Sequence, residues 1–231
     1  MKILAIDSSA KTAGVAVTQD AHLLSSCFVN AGLTHSRTLM AMVDHALRQA
    51  DLKIEDVDAF AVNAGPGSFT GVRIGVAAVK GLASVGERPC AGVSTLESIA
   101  YNFCDTDAVI CAAMDARCGQ VYTALFSVKH GVVTRLTQDA AMPTTDLAAL
   151  LKAYDAPIYF AGDGASVAAQ TCRDLPNGRL ADESRRFQSA YGVARAALIS
   201  GSFVAPDRLT PAYLRLPQAE RELRIKKGES V

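Results

Sequence analysis

The strongest constraint on this chain is a pattern of periods that is laid down twice. An apolar, β-rich run from Ile3 to Ile6 ends on Asp7, and two more strand-like runs follow, Gly14 to Val17 and Leu23 to Val29. Leu39, Val43, Ala46, Leu47 and Ala50 then recur at helical spacing, with Thr34 or Ser36 placed to cap the helix. Ala59 to Ala64 returns as a strand, and a glycine-rich loop leads into a second helix. After about residue 106 the order begins again. Val109 to Met114 runs into Asp115, Val121 to Val128 and Val132 to Leu136 are strand-like, Leu147 to Tyr154 is helical, and Ile158 to Ala161 completes the unit. The turn Ala64-Gly65-Pro66-Gly67 has a look-alike in Ala161-Gly162-Asp163-Gly164. Two similar α/β lobes are the expected result.

A strand–strand–strand–helix–strand unit is the signature of the ribonuclease-H-like fold. Its duplication predicts the architecture of the actin, Hsp70 and sugar-kinase (ASKHA) superfamily, although a shared fold assigns no activity. The first lobe is expected over residues 1–105, with a helix near 184–200 able to pack back on it. The second spans 106–216, and 217–231 forms a charged tail. That tail mixes Glu220, Arg221, Glu222, Arg224, Lys226 and Lys227, which reads as a solvated segment. Half of the residues are hydrophobic, enough to build a large core, while acidic and basic side chains cancel to a net charge of zero. No strong field would draw RNA or an anionic membrane, so contact with RNA needs help. Six cysteines form no C-x-x-C pair and no cluster with histidine, no metal site is expected, and the thiols read as reduced. With no run of membrane-spanning length, the expected location is the cytoplasm.

In actin-like folds an aspartate ends the first strand of each lobe, and a small-residue hairpin then wraps a phosphate and its metal. Asp7-Ser8-Ser9 and Asp115-Ala116-Arg117 stand in those places. They offer a nucleotide cleft between lobes, or simply aspartates that end strands and satisfy their own turns. Lys11 stands where glycine would let the backbone approach phosphate, which argues against a working kinase site. The loop from Gly65 to Gly75 has a strand before it and a helix after it. Gly65, Gly67, Ser68 and Thr70 suit an anion cradle at the helix N-terminus, without the lysine ending of a Walker loop. The alternative is a glycine turn packed closely on a neighbouring strand.

Two helices carry more apolar surface than one core contact requires. Over Val72 to Val85, Arg73 and Lys80 fall about 20° apart on the helical wheel, and nearly every other position is apolar or small. The helix over Leu39 to Ala50 has an apolar arc of about 160° against the roughly 100° that a core contact needs. Met40, Met42, Leu47, Arg73, Val76 and Lys80 are therefore candidate partner contacts, the alternative being a helix pair wholly inside its own core. The four histidines lack metal-ligand spacing and read as capping or solvated groups, and no nucleophile motif appears.

Seven stretches together resemble the TsaB family, also called YeaZ, which takes part in making threonylcarbamoyladenosine beside the tRNA anticodon. They are Ile3 to Ser9, His35-Ser36, Gly65 to Gly75, Val93-Ser94-Thr95-Leu96-Glu97, Asp115-Ala116-Arg117, Gly162-Asp163-Gly164 and Pro211 to Arg215. They span almost the whole chain in the family's order. The resemblance implies a non-catalytic, degenerate paralogue of TsaD, the transferase, lacking that enzyme's metal-binding histidine pair. It implies a scaffold that pairs with itself, or with TsaD, through the two first-lobe helices. TsaE, an ATPase, joins the assembly, ATP and magnesium serve the partner subunits, and tRNA is met only through the complex. One departure is local: Cys118-Gly119-Gln120 follows Asp115-Ala116-Arg117 where the family often has arginine, glycine and glutamate. The rivals are a small-molecule kinase of this superfamily and a glycopeptidase-like protease.

Overall fold

The computed structural model describes residues 1–215; Leu216 and the charged tail expected over 217–231 lie outside them. The chain opens with β1 (Lys2–Asp7), β2 (Ala13–Gln19), β3 (His22–Val29), α1 (His35–Gln49), β4 (Ala59–Gly65), α2 (Phe69–Ser84), β5 (Cys90–Ser94) and α3 (Thr95–Ala100). It continues with β6 (Ala108–Arg117), β7 (Gln120–Lys129), β8 (Val132–Arg135), β9 (Ala140–Pro143), α4 (Thr144–Leu151), β10 (Ile158–Ala161), α5 (Ala165–Thr171), β11 (Gly178–Leu180), α6 (Glu183–Arg186) and α7 (Ala190–Ser200). The first sheet runs β3-β2-β1-β4-β5; the second runs β8-β7-β6-β10-β11, with β9 also paired to β7. Counted within each unit, with the short β9 set aside, both orders are 3-2-1-4-5. In each sheet the first strand lies antiparallel to its hairpin partner and parallel to the fourth. The duplication read from the sequence is thus present in strand order.

β1 shows why this sheet is covered on both sides. Successive side chains alternate between faces. Leu4 and Ile6 pack with Leu39 and Val43 of α1 and Val72 and Val76 of α2, whereas Ile3 and Ala5 face Val193, Ala194 and Ala197 of α7. The α7 face of the sheet is built from Ala5, Ala16, Ala59, Ala61 and Ala91, small enough for a helix to settle close to the strands. After Gln188 the chain therefore leaves the second sheet and returns to the first. A 3-10 turn at Pro206–Arg208 follows, and Leu209 is buried in the first core. The second lobe expected to run to residue 216 accordingly loses its last stretch to the first. α3 does the reverse: Leu96, Ile99 and Ala100 pack against Ile110, Ala112, Met114 and Phe126 of the second sheet.

Local signals set the helix ends. α2 starts at Phe69 rather than Val72 because the Ser68 hydroxyl accepts from Gly71 N at 3.3 Å and fills the capping role. α1 starts after Thr34, whose backbone is extended at the cap position but whose side chain makes no cap hydrogen bond. α4 begins three residues before the expected Leu147.

Candidate functional site

A cleft of about 410 Å³ opens between the lobes, where the ends of β1 and β6 and the start of α2 meet. Lys11, Arg117 and Arg215 bring positive charge to it, Asp115 and Asp163 negative charge, and Phe69, Tyr122 and Tyr213 aromatic walls. Gly67, Ser68 and Thr70 line the same space.

The end of β1 is tied inward rather than presented to the cleft. Asp7 is fully buried, and its Oδ1 accepts from Ser9 N at 3.1 Å, Ser9 Oγ at 2.6 Å and Asn63 Nδ2 at 2.7 Å. Burial pushes the Asp7 carboxyl above its ordinary value, against the opposing pull of the Ser9 and Asn63 hydrogen bonds and of His35. The Ser8 hydroxyl donates to Gly71 O at 2.8 Å, and Ser68 N donates to Ser9 O at 2.7 Å. Glycine makes this approach possible: a Cβ at Gly67 would lie 2.3 Å from Ser9 O, and one at Gly71 would lie 2.1 Å from Ser8 O. The loop thus packs closely on the β1 turn, the second of the two alternatives above.

The second lobe repeats this contact. Gly65 and Gly162 both have positive φ, 128° and 109°, at the ends of β4 and β10. A Cβ at Gly164 would meet the Met114–Asp115 backbone at 2.7 Å, as one at Gly67 would meet Ser9. The side chains differ, because Asp163 has no acidic counterpart in the first loop. Its Oδ1 accepts from Asp115 N at 3.0 Å. Burial, then the charges of Asp115 and Asp7, push its carboxyl up to about 6, partly offset by that hydrogen bond and by Lys11.

Since the native state holds the Asp163 proton more tightly than an unfolded carboxylic acid, stability falls as pH rises from about 4 to about 6 and then levels. Asp163→Asn, which keeps the acceptor oxygen, is expected to be more stable than wild type at pH 7.5. The difference should close by pH 4. Thermal melts across that range test this, and an equal difference at both ends would refute it.

The candidate contact residues on the two helices separate into three groups. Met40 is 48% exposed and lies on the outer face of α1. Met42, Leu47 and Val76 are buried in the first core with Leu39, Val43 and Phe60, which corrects their assignment to a partner surface. The reason is geometric: α1 and α2 pack side by side on one face of the sheet, so residues at the edge of each apolar arc reach into the core. Arg73 and Lys80 form no free polar stripe. Arg73 Nε donates to Tyr213 Oη at 2.8 Å with its guanidinium 3.8 Å above the Phe69 ring, and Lys80 Nζ donates to the carbonyls of Asp207 and Leu209. Part of the apolar surplus on α2 is thus hidden by the chain's own returning end.

Among the described residues no group of three or more His, Cys, Asp and Glu is arranged to hold a metal ion. No helix there is long and apolar enough to cross a membrane.

Residues 30–221 match the family model described as "TsaD: tRNA N6-adenosine threonylcarbamoyltransferase". The Bacillus subtilis "tRNA threonylcarbamoyladenosine biosynthesis protein TsaB" is 34% identical over 227 residues, covering 95% of this chain and 96% of that protein. The chain belongs to the TsaB family. Because the matched model bears the transferase's name, this TsaB-family chain also falls within the wider family that the model describes. Among solved structures, "YeaZ from Pseudomonas aeruginosa" superposes with a TM-score of 0.79 at 29% identity, over 92% of this chain and 99% of that one. An (R)-2-hydroxyglutaryl-CoA dehydratase component A from Acidaminococcus fermentans superposes with a TM-score of 0.51 over 90% of this chain and 98% of that one. At 11% identity the second likeness concerns the fold alone.

Placed against that membership, the cleft residues of this TsaB-family chain divide as follows. Gly67, Ser68, Thr70 and Asp115 line the cleft. Asp7, Ser8 and Ser9 are buried behind it, and Gly65 packs against Ala212 O. Sequence reasoning placed Lys11 at the cleft but missed Asn63, the partner of Asp7, and passed over Asp163, Tyr213 and Arg215 as cleft residues. Asp163 carried a signal, standing in the turn that repeats the first glycine loop.

Proposed function

We propose that this chain is a non-catalytic accessory subunit in the formation of threonylcarbamoyladenosine on tRNA, binding and activating a TsaD transferase. The observation that carries this reading is the full-length match to the TsaB protein of Bacillus subtilis. In the cleft, the glycine loop is spent on packing against Ser8 and Ser9, and Asp7 is held by Ser9 and Asn63, which supports a binding rather than a chemical role. TsaD brings the catalytic machinery, TsaE completes the assembly, ATP and magnesium serve those partners, and tRNA is engaged through the complex in the cytoplasm. Alone, the chain pairs with itself by the same outer faces of α1 and α2. The exposed apolar or small positions there include Met40 and Ala41 on α1 and Ala77 and Gly81 on α2, beside the charged Arg37, Asp44 and Arg48. Met40 supplies an adaptable thioether, while the small residues on α2 permit close approach.

Met40→Asp is expected to leave the fold intact and to weaken capture of TsaD at least tenfold, about 1.4 kcal/mol. A pull-down titration with circular dichroism as control measures it. Modification assayed on tRNA with TsaD, TsaE and threonylcarbamoyl-adenylate should fall in parallel. A folded variant that binds TsaD at wild-type strength would move the interface off α1. The two carboxylates at the cleft, Asp115 and Asp163, keep one other reading open, a small-molecule kinase. Tight magnesium-dependent ATP binding with turnover by the isolated chain would favour it.

A further inference from the structure

Two lobes joined along a central hub can rotate about it, as the hinged members of many two-domain proteins do. Here the hub is α3 against α7, packed so closely that a Cβ at Gly192 would lie 2.1 Å from Ser98 O. Rotation about such a hub is stopped by ties away from it, and more firmly by two ties set well apart.

The first tie is the returning strap after α7. Cys90 and Val204 exchange backbone hydrogen bonds at 2.8 Å, Lys80 holds two strap carbonyls, and Leu209 is 3% exposed in the first core. Ala212 N donates to Ala64 O at 2.7 Å, and the Tyr213 ring sits 4.8 Å from Phe69. Having been fastened along the first lobe, the strap crosses to the other wall of the cleft. There Arg215 donates to the Gln120 side-chain oxygen and to Ala116 O at 3.5 Å, on the β6–β7 hairpin.

The second tie joins Ser94, at the end of β5 in the first sheet, to the loop after β8, with the adjoining start of α3 held by the same loop. Arg135 bridges Glu97, at 2.9 Å, and Asp139, and its guanidinium lies 4.7 Å over the Phe126 ring. Ser94, which caps α3, donates to Asp139 Oδ2 at 2.5 Å. With Arg135 only 26% exposed, this network is shielded more than an ordinary surface pair. Thr137 fixes the same loop to the second sheet, its Oγ1 accepting from Leu125 N at 2.8 Å and its backbone N donating to Leu125 O at 3.3 Å. Gln120 and Leu125 are both on β7, five residues apart, so the ties grip that strand about 17 Å from each other.

We infer that the strap ending at Arg215 and the Ser94–Asp139 contact, with Asp139 held in place by Arg135 and Glu97, together lock the two lobes at one opening, so that the cleft does not close by lobe rotation. The lock is a property of the chain by itself and holds whichever partner it serves. Neither tie works alone, because each leaves a rotation about its own point of attachment.

Backbone N–H residual dipolar couplings of the full chain test the lock directly, since they report the relative order of two bodies. In the wild type one alignment tensor should fit both sheets. In the Arg135→Met/Arg215→Ala variant the two sheets should need separate tensors of unequal magnitude, while the couplings of each sheet still fit its own coordinates. Should the double variant not fold, Arg215→Ala, which touches neither core, should lower the second sheet's tensor magnitude relative to the first. Wild-type couplings that require two tensors would overturn the inference, as would a folded variant whose sheets remain one body.

Discussion

Val76→Asp is expected to destabilise the isolated chain by about 4 kcal/mol or more, and Met42→Asp by a similar amount, because each leaves an unpaired charge in the core. Val76 is 4% exposed and Met42 5%, packed among Leu39, Val43, Val62 and Val72 of the first core. A loss of that size is a large part of the stability of an ordinary domain. Urea denaturation followed by circular dichroism measures it, with Met40→Asp as the comparison, expected within about 0.5 kcal/mol of wild type because the site is exposed. If Val76→Asp unfolds at the wild-type midpoint, the side chain is not in the core as described. The contrast has a practical side: under the proposed function, a loss of partner binding in either buried variant reports unfolding, whereas the exposed Met40 tests the surface.

The second large effect reverses an ordinary rule. Replacing a helical glycine by alanine usually stabilises a helix by about 0.5–1 kcal/mol, since glycine loses more backbone freedom on folding. Gly81, in the open part of α2 with nothing within 4 Å of its added Cβ, should follow the rule. Gly71, in the same helix, should break it. Its Cβ would stand 2.1 Å from Ser8 O and 3.3 Å from Ser8 C, backbone atoms that cannot swing aside, and Gly71 O already accepts the Ser8 hydroxyl. Gly71→Ala is expected to lose about 3 kcal/mol, the upper range for forced overpacking. Thermal and urea melts of the two variants give a test by sign: a stabilised Gly71→Ala would mean that the Ser8 turn does not sit on the helix.

Much of this architecture is legible in the chain because the features that encode it are local and repeated. The near-continuous burial of β1 and β4 and the apolar arc of α1 each follow from the side chains of a single element. So does the position of Asp7 and Asp115 at equivalent strand ends. What covers those elements is not local. A wheel drawn for α2 shows excess apolar surface but cannot show that Asp207, Leu209 and Tyr213 come back to lie on it. For the same reason Arg73 and Lys80 read as a stripe awaiting a partner, and Met42 and Leu47 as rim residues of a helix whose neighbour was unknown. The glycine loop offered two readings, and deciding between them needed the distance from Gly67 and Gly71 to the Ser8–Ser9 backbone. Asp7 shows the limit most clearly: its place was readable, but its burial and its hold on Asn63 depend on a strand 56 positions away.

The route of α7 bears on how the protein is made. Ile3, Ala5, Ala61 and Ala91 lie within residues 3–91, yet the helix that shields them, Ala190–Ser200, is translated well after them. Until then one face of the first sheet has no cover, and a nascent chain carrying residues 1–105 presents bare apolar strands to water. Such a fragment, produced alone, should collapse or aggregate rather than persist as a folded half. Completion of the first sheet thus waits until Ser200 has left the ribosome, and a stop codon anywhere before residue 190 would strip the cover from strands made long before it.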